Sequence, residues 1–344
     1  MSLYTEIMEQ PGVIGQLLAG QWKTVQSVAA EIRKRQPGYA FLAARGTSDN
    51  AGRYANYLWG AHNRLPVALA TPSLFTFYRQ PPLLGGAMVV GISQSGKSPD
   101  IVRVIEEGKS QGCLTLTMTN VPDSPLAGAA DFVVDLQCGE EKAVAATKTY
   151  TAELAAIAML SVALAEDESR LTELHRTPDW MRQALALDAE IARLAERYRY
   201  MERCAVVGRG FNYCTAFEWS LKIKELTYVT AEPYSSADFR HGPIAIVEQG
   251  FPMLVIVPGG KVFEDVLELL KILREKGAEL VVISDQSDAL ELAHSPFQLP
   301  SGIPEWLTPL IAILPAQLFA YHLTRVKGYN TEAPRSILKV TETH

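Results

Sequence analysis

Cysteine is scarce in this chain and unpaired in spacing. Four residues, Cys113, Cys138, Cys204 and Cys214, are scattered over 344 positions with no C-x-x-C pair. That argues against a disulfide framework or a cysteine-built zinc site, and for reduced thiols in a cytoplasmic setting. No basic block or stripe marks a nucleic-acid surface, and the formal net charge is −6; a polyanion-binding protein is therefore not expected. The first residues, MSLYTEIMEQ, lack the basic-then-apolar order of a signal peptide. The longest apolar stretch, from Trp306 to Leu323, is interrupted by Pro309, Pro315 and Gln317, and reads as a buried helix instead of a membrane span. No metal-ligand spacing appears among the six histidines, so neither a metal nor another cofactor is expected.

What is present is enough apolar residue for a full core, at 48% of the chain, and a length that favours two domains. The most informative stretch is AMVVGISQSGKSPDIVRVIEEGKSQG, residues 87–112. Ala87 to Ile92 is a short apolar run of the kind that forms a strand buried on both faces. Ser93-Gln94-Ser95-Gly96 then makes a polar loop. Ser98 suits an N-cap, Pro99 the first helical position and Asp100 the first turn of a helix. A helix start carries unpaired N–H groups and partial positive charge, so with three serines and a glutamine beside it this loop is a candidate phosphate cradle. An ordinary capped helix after a loop fits the same residues.

Strands and helices alternate on either side of this stretch. Tyr39 to Ala44 reads as a strand followed by the polar loop Arg45–Asn50 and a helix. Val67–Ala70, Cys113–Met118 and Asp131–Leu136 read as further strands, and a helix is expected from Ala145 to about Ala165. Alternation of this kind predicts a parallel sheet with right-handed crossovers, and ligands at the carboxyl ends of its strands. The rhythm restarts at Arg203. FLAARGTSDNAGRYANYLWG faces CAVVGRGFNYCTAFEWSLKI, and VVGISQSGKSPDIV faces LVIVPGGKVFEDVL. This is an internal duplication. The second copy has lost the Ser-Gln-Ser donors, so only the first keeps a phosphate cradle. Polar residues 166–199, expected as one or two helices, form the junction.

The second copy offers charge of another kind. Glu218, Lys222 and Glu225 fall on one helical face, and Lys222 lies three residues from Glu225. They form either a solvated salt-bridged face or, with Trp219, Leu221, Ile223 and Leu226 around them, a covered functional cluster. Downstream, AEPYSSADFRHGPIAIV places His241 in a Gly-Pro turn ahead of an apolar segment read as a strand. There it is either a titrating group or a turn histidine bonded to backbone. Near the end, TEAPRSILKVTETH carries Lys339, in a segment that reads by default as a solvated tail.

These motifs together resemble the sugar-isomerase (SIS) family, most of all the isomerase half of glutamine–fructose-6-phosphate amidotransferases. The resemblance runs from about residue 40 and rests on RGTS (45–48), SQSG (93–96), NVPDSPL (120–126), VAATKTYT (144–151), GRG (208–210), SLKIKE (220–225), AEPYSSADFRHGP (231–243) and PRSILKVT (334–341). It implies an α/β fold of two tandem SIS domains, each a parallel sheet flanked by helices in three α-β-α layers. The expected organisation is an N-terminal phosphosugar-binding domain at 1–165, a helical connection at 166–199, a catalytic domain at 200–329, and a tail at 330–344 that closes the active site. The resemblance puts sugar-phosphate binding on Thr47, Ser48, Ser93, Gln94, Ser95 and Ser98, with Val144 and Ala146. It makes Glu225 the base between C1 and C2, His241 the ring-opening group reaching a neighbouring subunit of a homodimer, and Lys339 the imine-forming lysine. Lys222 lies beside it and would lower its pKa.

Three positions depart from the family pattern: Lys97 stands where an acid is usual, Ala146 replaces a serine, and Leu338 replaces a small residue. No N-terminal cysteine nucleophile of a glutaminase is seen at Met1-Ser2, so ammonia release is expected in place of glutamine-dependent synthesis. The expected substrate is glucosamine 6-phosphate or a close relative, isomerised and deaminated to a ketose phosphate. A fructosamine-type deglycase, a plain aldose–ketose phosphate isomerase and a non-catalytic sugar-phosphate sensor are the other readings.

Overall fold

The computed structural model describes residues 2–339. It contains two parallel five-stranded sheets. In the first, β1 (Tyr39–Ala43), β2 (Val67–Leu69), β3 (Ala87–Ile92), β4 (Leu114–Thr119) and β5 (Phe132–Asp135) lie in the order β2-β1-β3-β4-β5. In the second, β6 (Arg203–Gly208), β7 (Thr230–Ser235), β8 (Pro252–Ile256), β9 (Glu279–Ser284) and β10 (Ser295–Gln298) lie in the order β7-β6-β8-β9-β10, read from the other edge. The second order is the first repeated, strand for strand, as the duplicated sequence requires. In each, the order reverses between the first and third strands, where ligands collect in sheets of this type.

The central strands are apolar and buried on both faces. Every residue of β3, β4, β8 and β9 is buried. Two strands, β7 and β10, do not show in the sequence because of their composition. β7 and β10 carry Pro233 and Pro296, which cannot donate to a ladder; both strands lie at sheet edges, where such residues are tolerated. The segment after His241, expected as a strand, is a 3-10 turn at Pro243–Ile246, since Gly242 and Pro243 break the extended run. Residues 166–199 hold three short helices, Glu168–His175, Thr177–Leu185 and Asp188–Ala195, where one or two were expected. The helix expected from Ala145 begins at Lys148.

By contacts the chain divides into two compact units that interleave along the sequence. Among the described residues, one comprises 2–11, 142–147 and 176–337 and holds the second sheet; the other comprises 12–141, 148–175 and 338–339 and holds the first. Two helices, Lys148–Ala165 and Glu305–Val326, are long and apolar enough to cross a membrane, yet 89% and 94% of their apolar windows are buried within the protein. They are core helices, one in each unit. In the first sheet's unit Trp59 Nε1 donates to Ile157 O of the buried helix at 3.1 Å. In the other, Trp219 meets Phe319 edge-on with centroids 5.9 Å apart. Trp219 is fully buried, and its Nε1 has no hydrogen-bond partner among the described residues. Trp219→Ala should therefore lower the unfolding free energy by about 3–5 kcal/mol, measured by urea denaturation. Trp219→Phe should cost clearly less, because the indole N–H has no bond to lose.

Candidate functional site

Adjacent parallel strands set the first cluster. β1 and β3 pair with Ala43 opposite Gly91, so the loops that follow them leave the same edge side by side. The loop after β3 is held from several sides. Gly96 N donates to Ser93 Oγ at 3.2 Å, Gly96 O accepts from Leu126 N at 3.1 Å, and Gln94 O accepts from Asn120 N at 3.2 Å. Gly96 sits at φ +61°, and a Cβ there would fall 2.0 Å from Ser124 Oγ, so only glycine fits. Ser98 occupies the N-cap of helix Pro99–Ser110 without spending its hydroxyl on that helix. Among the described residues neither the Ser98 hydroxyl nor the Gln94 side-chain amide has a hydrogen-bond partner, and both residues are half-buried. Ser95 Oγ accepts from Lys97 N at 3.3 Å, which leaves its own proton to donate outward. Donors are thus gathered at a helix start, the arrangement that receives an anion.

The loop after β1 behaves differently. Ser48 is buried and its hydroxyl donates to Glu153 Oε1 at 2.7 Å, so that proton is already committed inside the protein. Arg45 reaches across to Asp100, with Nη2 2.7 Å and Nε 2.8 Å from the same buried carboxylate oxygen. This pair ties the loop after β1 to the first turn of the helix after β3. The duplicated sequence carries it twice: Arg209 and Asp265 stand at the equivalent places and pair at 2.8 Å. Comparison of the two copies was the signal that would have found it. In the second copy the equivalent loop is filled by the protein's own acids. Gly259 N donates to Asp285 Oδ1 at 2.7 Å, and a Cβ on Gly260 would meet Glu305 at 2.3 Å.

Val144 and Ala146 lie in the segment 142–147, which belongs to the unit holding the second sheet. Its start is fixed by Glu6, whose carboxylate accepts from Lys142 N at 2.6 Å and Ala143 N at 3.2 Å. Glu225, Lys222 and His241 belong to that unit too, whereas Thr47, Ser48, Ser93, Gln94, Ser95, Ser98 and Lys339 belong to the other.

The charged helix is not a solvated face. In helix Tyr213–Thr227, Glu218 is fully buried and Lys222 is 1% exposed. Lys222 Nζ lies 2.6 Å from Glu225 Oε2 and 3.4 Å from Glu218 Oε1. Burial works against the ammonium, but the two carboxylates outweigh it and push the Lys222 pKa up. Its partners include these two acids. Glu225 is a quarter exposed, and its second oxygen has no partner among the described residues. It is a carboxylate held at one oxygen and open at the other.

Lys339, the last described residue, bonds Glu141 Oε2 at 2.6 Å. Glu141 is buried and also takes the amide and hydroxyl of Thr149 at 3.2 and 2.8 Å. Sequence reasoning did not single out Glu141 or Glu153. Glu153 is a lone acid within the apolar helix Lys148–Ala165, and that isolation was an available hint; Glu141, next to Glu140 and Lys142, carried none. The rest of the tail, 340–344, lies outside the described residues. His241 is exposed at the end of helix Ser236–Arg240, and its backbone N–H bonds Asp238 O at 3.1 Å. All four cysteines are buried, and burial raises the thiols of Cys113, Cys138 and Cys204, so none of these three is a nucleophile poised at neutral pH. Among the described residues no group of three or more His, Cys, Asp or Glu is placed to hold a metal.

The family model for the SIS domain matches twice, at 35–163 and 199–327, one match on each sheet. The chain belongs to the SIS domain family. It is 32% identical over 339 residues to the glutamine–fructose-6-phosphate aminotransferase (isomerizing) of Pyrococcus horikoshii, covering 97% of this chain and 56% of that protein. The chain thus spans little more than half the length of such curated relatives. Among solved structures, the C-terminal domain of glucosamine-fructose-6-phosphate aminotransferase from Francisella tularensis superposes with a TM-score of 0.88 at 27% identity, covering 96% of this chain and 98% of that one. A phosphosugar isomerase candidate from Silicibacter pomeroyi DSS-3 gives 0.83 at 32% identity, covering 95% and 98%.

The buried acid under Lys222 generates a prediction. Lys222→Met should destabilise the protein by about 3–5 kcal/mol, because it strands the Glu218 carboxylate in the core. The double variant Lys222→Met with Glu218→Gln should recover part of that loss in urea denaturation.

Proposed function

We propose that this protein is a phosphosugar isomerase acting on an amino-sugar phosphate, and that it converts glucosamine 6-phosphate and water to fructose 6-phosphate and ammonia. The observation that carries the reading is the pairing of two features in one chain. One is a helix-capping loop with unspent donors at Gln94, Ser95 and Ser98; the other is the Glu225 carboxylate with one oxygen free. The names of the relatives at 32% identity support the same substrate class.

In this reading the loop Ser93–Ser98 and the start of helix Pro99–Ser110 bind the phosphate through N–H and O–H donors. Thr47 and Ser48 contribute through the loop after β1; with the Ser48 hydroxyl given to Glu153, its part is to fix the loop's shape. The backbone of Val144 and the residue Ala146 contact the sugar. His241 moves the proton that opens the ring, as an imidazole can near neutrality. Glu225 takes the proton from C2 of the open chain and returns it to C1. Lys222 orients that carboxylate by its 2.6 Å bond. C2 is then an imine, which water hydrolyses with release of ammonia. In this reading Lys339, whose ammonium bonds Glu141, forms a reversible imine with the open-chain ketose, losing water as it forms and regaining it on hydrolysis.

Incubation of the purified protein with glucosamine 6-phosphate should release ammonia and fructose 6-phosphate in equal amounts. Isomerisation of a hexose phosphate with no ammonia from the amino sugar would leave the plain isomerase; tight binding without product would favour a sensor. Glu225→Gln should abolish deuterium incorporation at C1 of the ketose phosphate formed in heavy water while substrate still binds, and retained incorporation would remove Glu225 from its role. Ser98→Ala should raise KM by roughly tenfold or more, the equivalent of about 1.5–3 kcal/mol for a hydrogen bond to a charged group, with kcat little changed. An unchanged KM would move the phosphate elsewhere.

A further inference from the structure

The Arg–Asp pair that recurs in both copies is not equally loaded. In the first copy Asp100 bonds Arg45 and the N–H of Ile101, its own neighbour. In the second copy Asp265 bonds Arg209 and has gained a set of partners that all come from one short helix. Ser236 Oγ donates to Asp265 Oδ2 at 2.6 Å, and Arg240 Nη1 to Oδ1 at 2.7 Å. Arg240 Nη2 also donates to the Asp265 backbone carbonyl at 2.5 Å, and Arg209 Nη1 lies 3.2 Å from Ser236 Oγ. Ser236 and Arg240 are the first and last residues of helix Ser236–Arg240, and His241 is the residue that caps it. One carboxylate therefore pins both ends of the element that carries the histidine. The helix has five residues, too few to hold its own shape in water. Ser235 caps its start by accepting from Asp238 N at 3.0 Å, Phe239 is buried in the core of the second sheet, and Arg240 lies 3.9 Å from Glu268.

We propose that Asp265 is a positioning residue for His241. It acts through Ser236 and Arg240 and does not itself touch substrate. Burial opposes its charge, but the bonds from Ser236 and Arg240 and the nearby Arg209 outweigh that and hold the carboxyl below the usual carboxylate range, so the anchor stays ionised at neutral pH. This inference rests on the proposed function only for what His241 does, not for where it is held.

Two measurements on Asp265→Ala and Asp265→Asn separate the two. Amide hydrogen exchange across 236–241 reads placement without turnover. It should quicken at least tenfold in Asp265→Ala, with Asp265→Asn between it and wild type; unchanged exchange in a folded Asp265→Ala protein overturns the proposal. Turnover of glucosamine 6-phosphate reads consequence. Asp265→Ala should lose about tenfold or more in kcat with KM within about twofold, and combining it with His241→Ala should cost no more than His241→Ala alone. Losses that multiply would mean that Asp265 supports something other than His241. If exchange quickens while His241→Ala leaves turnover intact, the positioning stands and the role assigned to His241 is what fails.

Discussion

Two parallel strands that are neighbours in space but not in sequence govern this molecule. β1 and β3 lie side by side, and the strand order turns between them. Chain leaving either strand must therefore arrive at one edge, where two loops and the start of a helix converge. Nothing in the composition of Ser93-Gln94-Ser95-Gly96 would matter without that convergence, because a few hydroxyls on an isolated loop hold an anion weakly. Gly96 and the Arg45–Asp100 pair fix the loop in a single shape before any ligand arrives. Donors already held in place cost a ligand less ordering entropy than donors on a mobile loop.

The second copy uses the same scaffold for a different purpose. Its helix Tyr213–Thr227 buries a lysine between two acids against the apolar side of helix Thr308–Val326. Burying three charges is costly unless each is paired, and here the geometry pairs them at 2.6 and 3.4 Å. The result is a carboxylate with a fixed direction and one open oxygen. A surface glutamate in water has open oxygens but no fixed direction.

Much of this was legible in the sequence. The buried strands declare themselves as apolar runs, and the duplication fixes the repeat of strand order before any contact is known. The edge strands β7 and β10 did not show, because proline masks a strand wherever a ladder bond can be spared. Of the site, the loop 93–98 and the Glu218–Lys222–Glu225 face followed from spacing and polarity. The resemblance alone brought in Val144, Ala146 and the roles of His241 and Lys339. What the sequence hid were acids whose partners are remote. Glu153 reaches Ser48 across 105 positions, and Glu141 reaches Lys339 across 198. No local pattern reports a partner at such distance.

The loop of the second sheet that matches Ser93–Ser98 bears on how many ligands one chain accepts. Asp285 already occupies an amide there that an incoming oxyanion would need, and Glu305 crowds the neighbouring glycine. The protein supplies its own tethered carboxylates to that place, and a phosphate entering it would meet like charge. If the loop Ser93–Ser98 is the seat proposed above, its twin is taken by the protein's own carboxylates, and the two copies of the architecture divide into one receiver and one self-filled place.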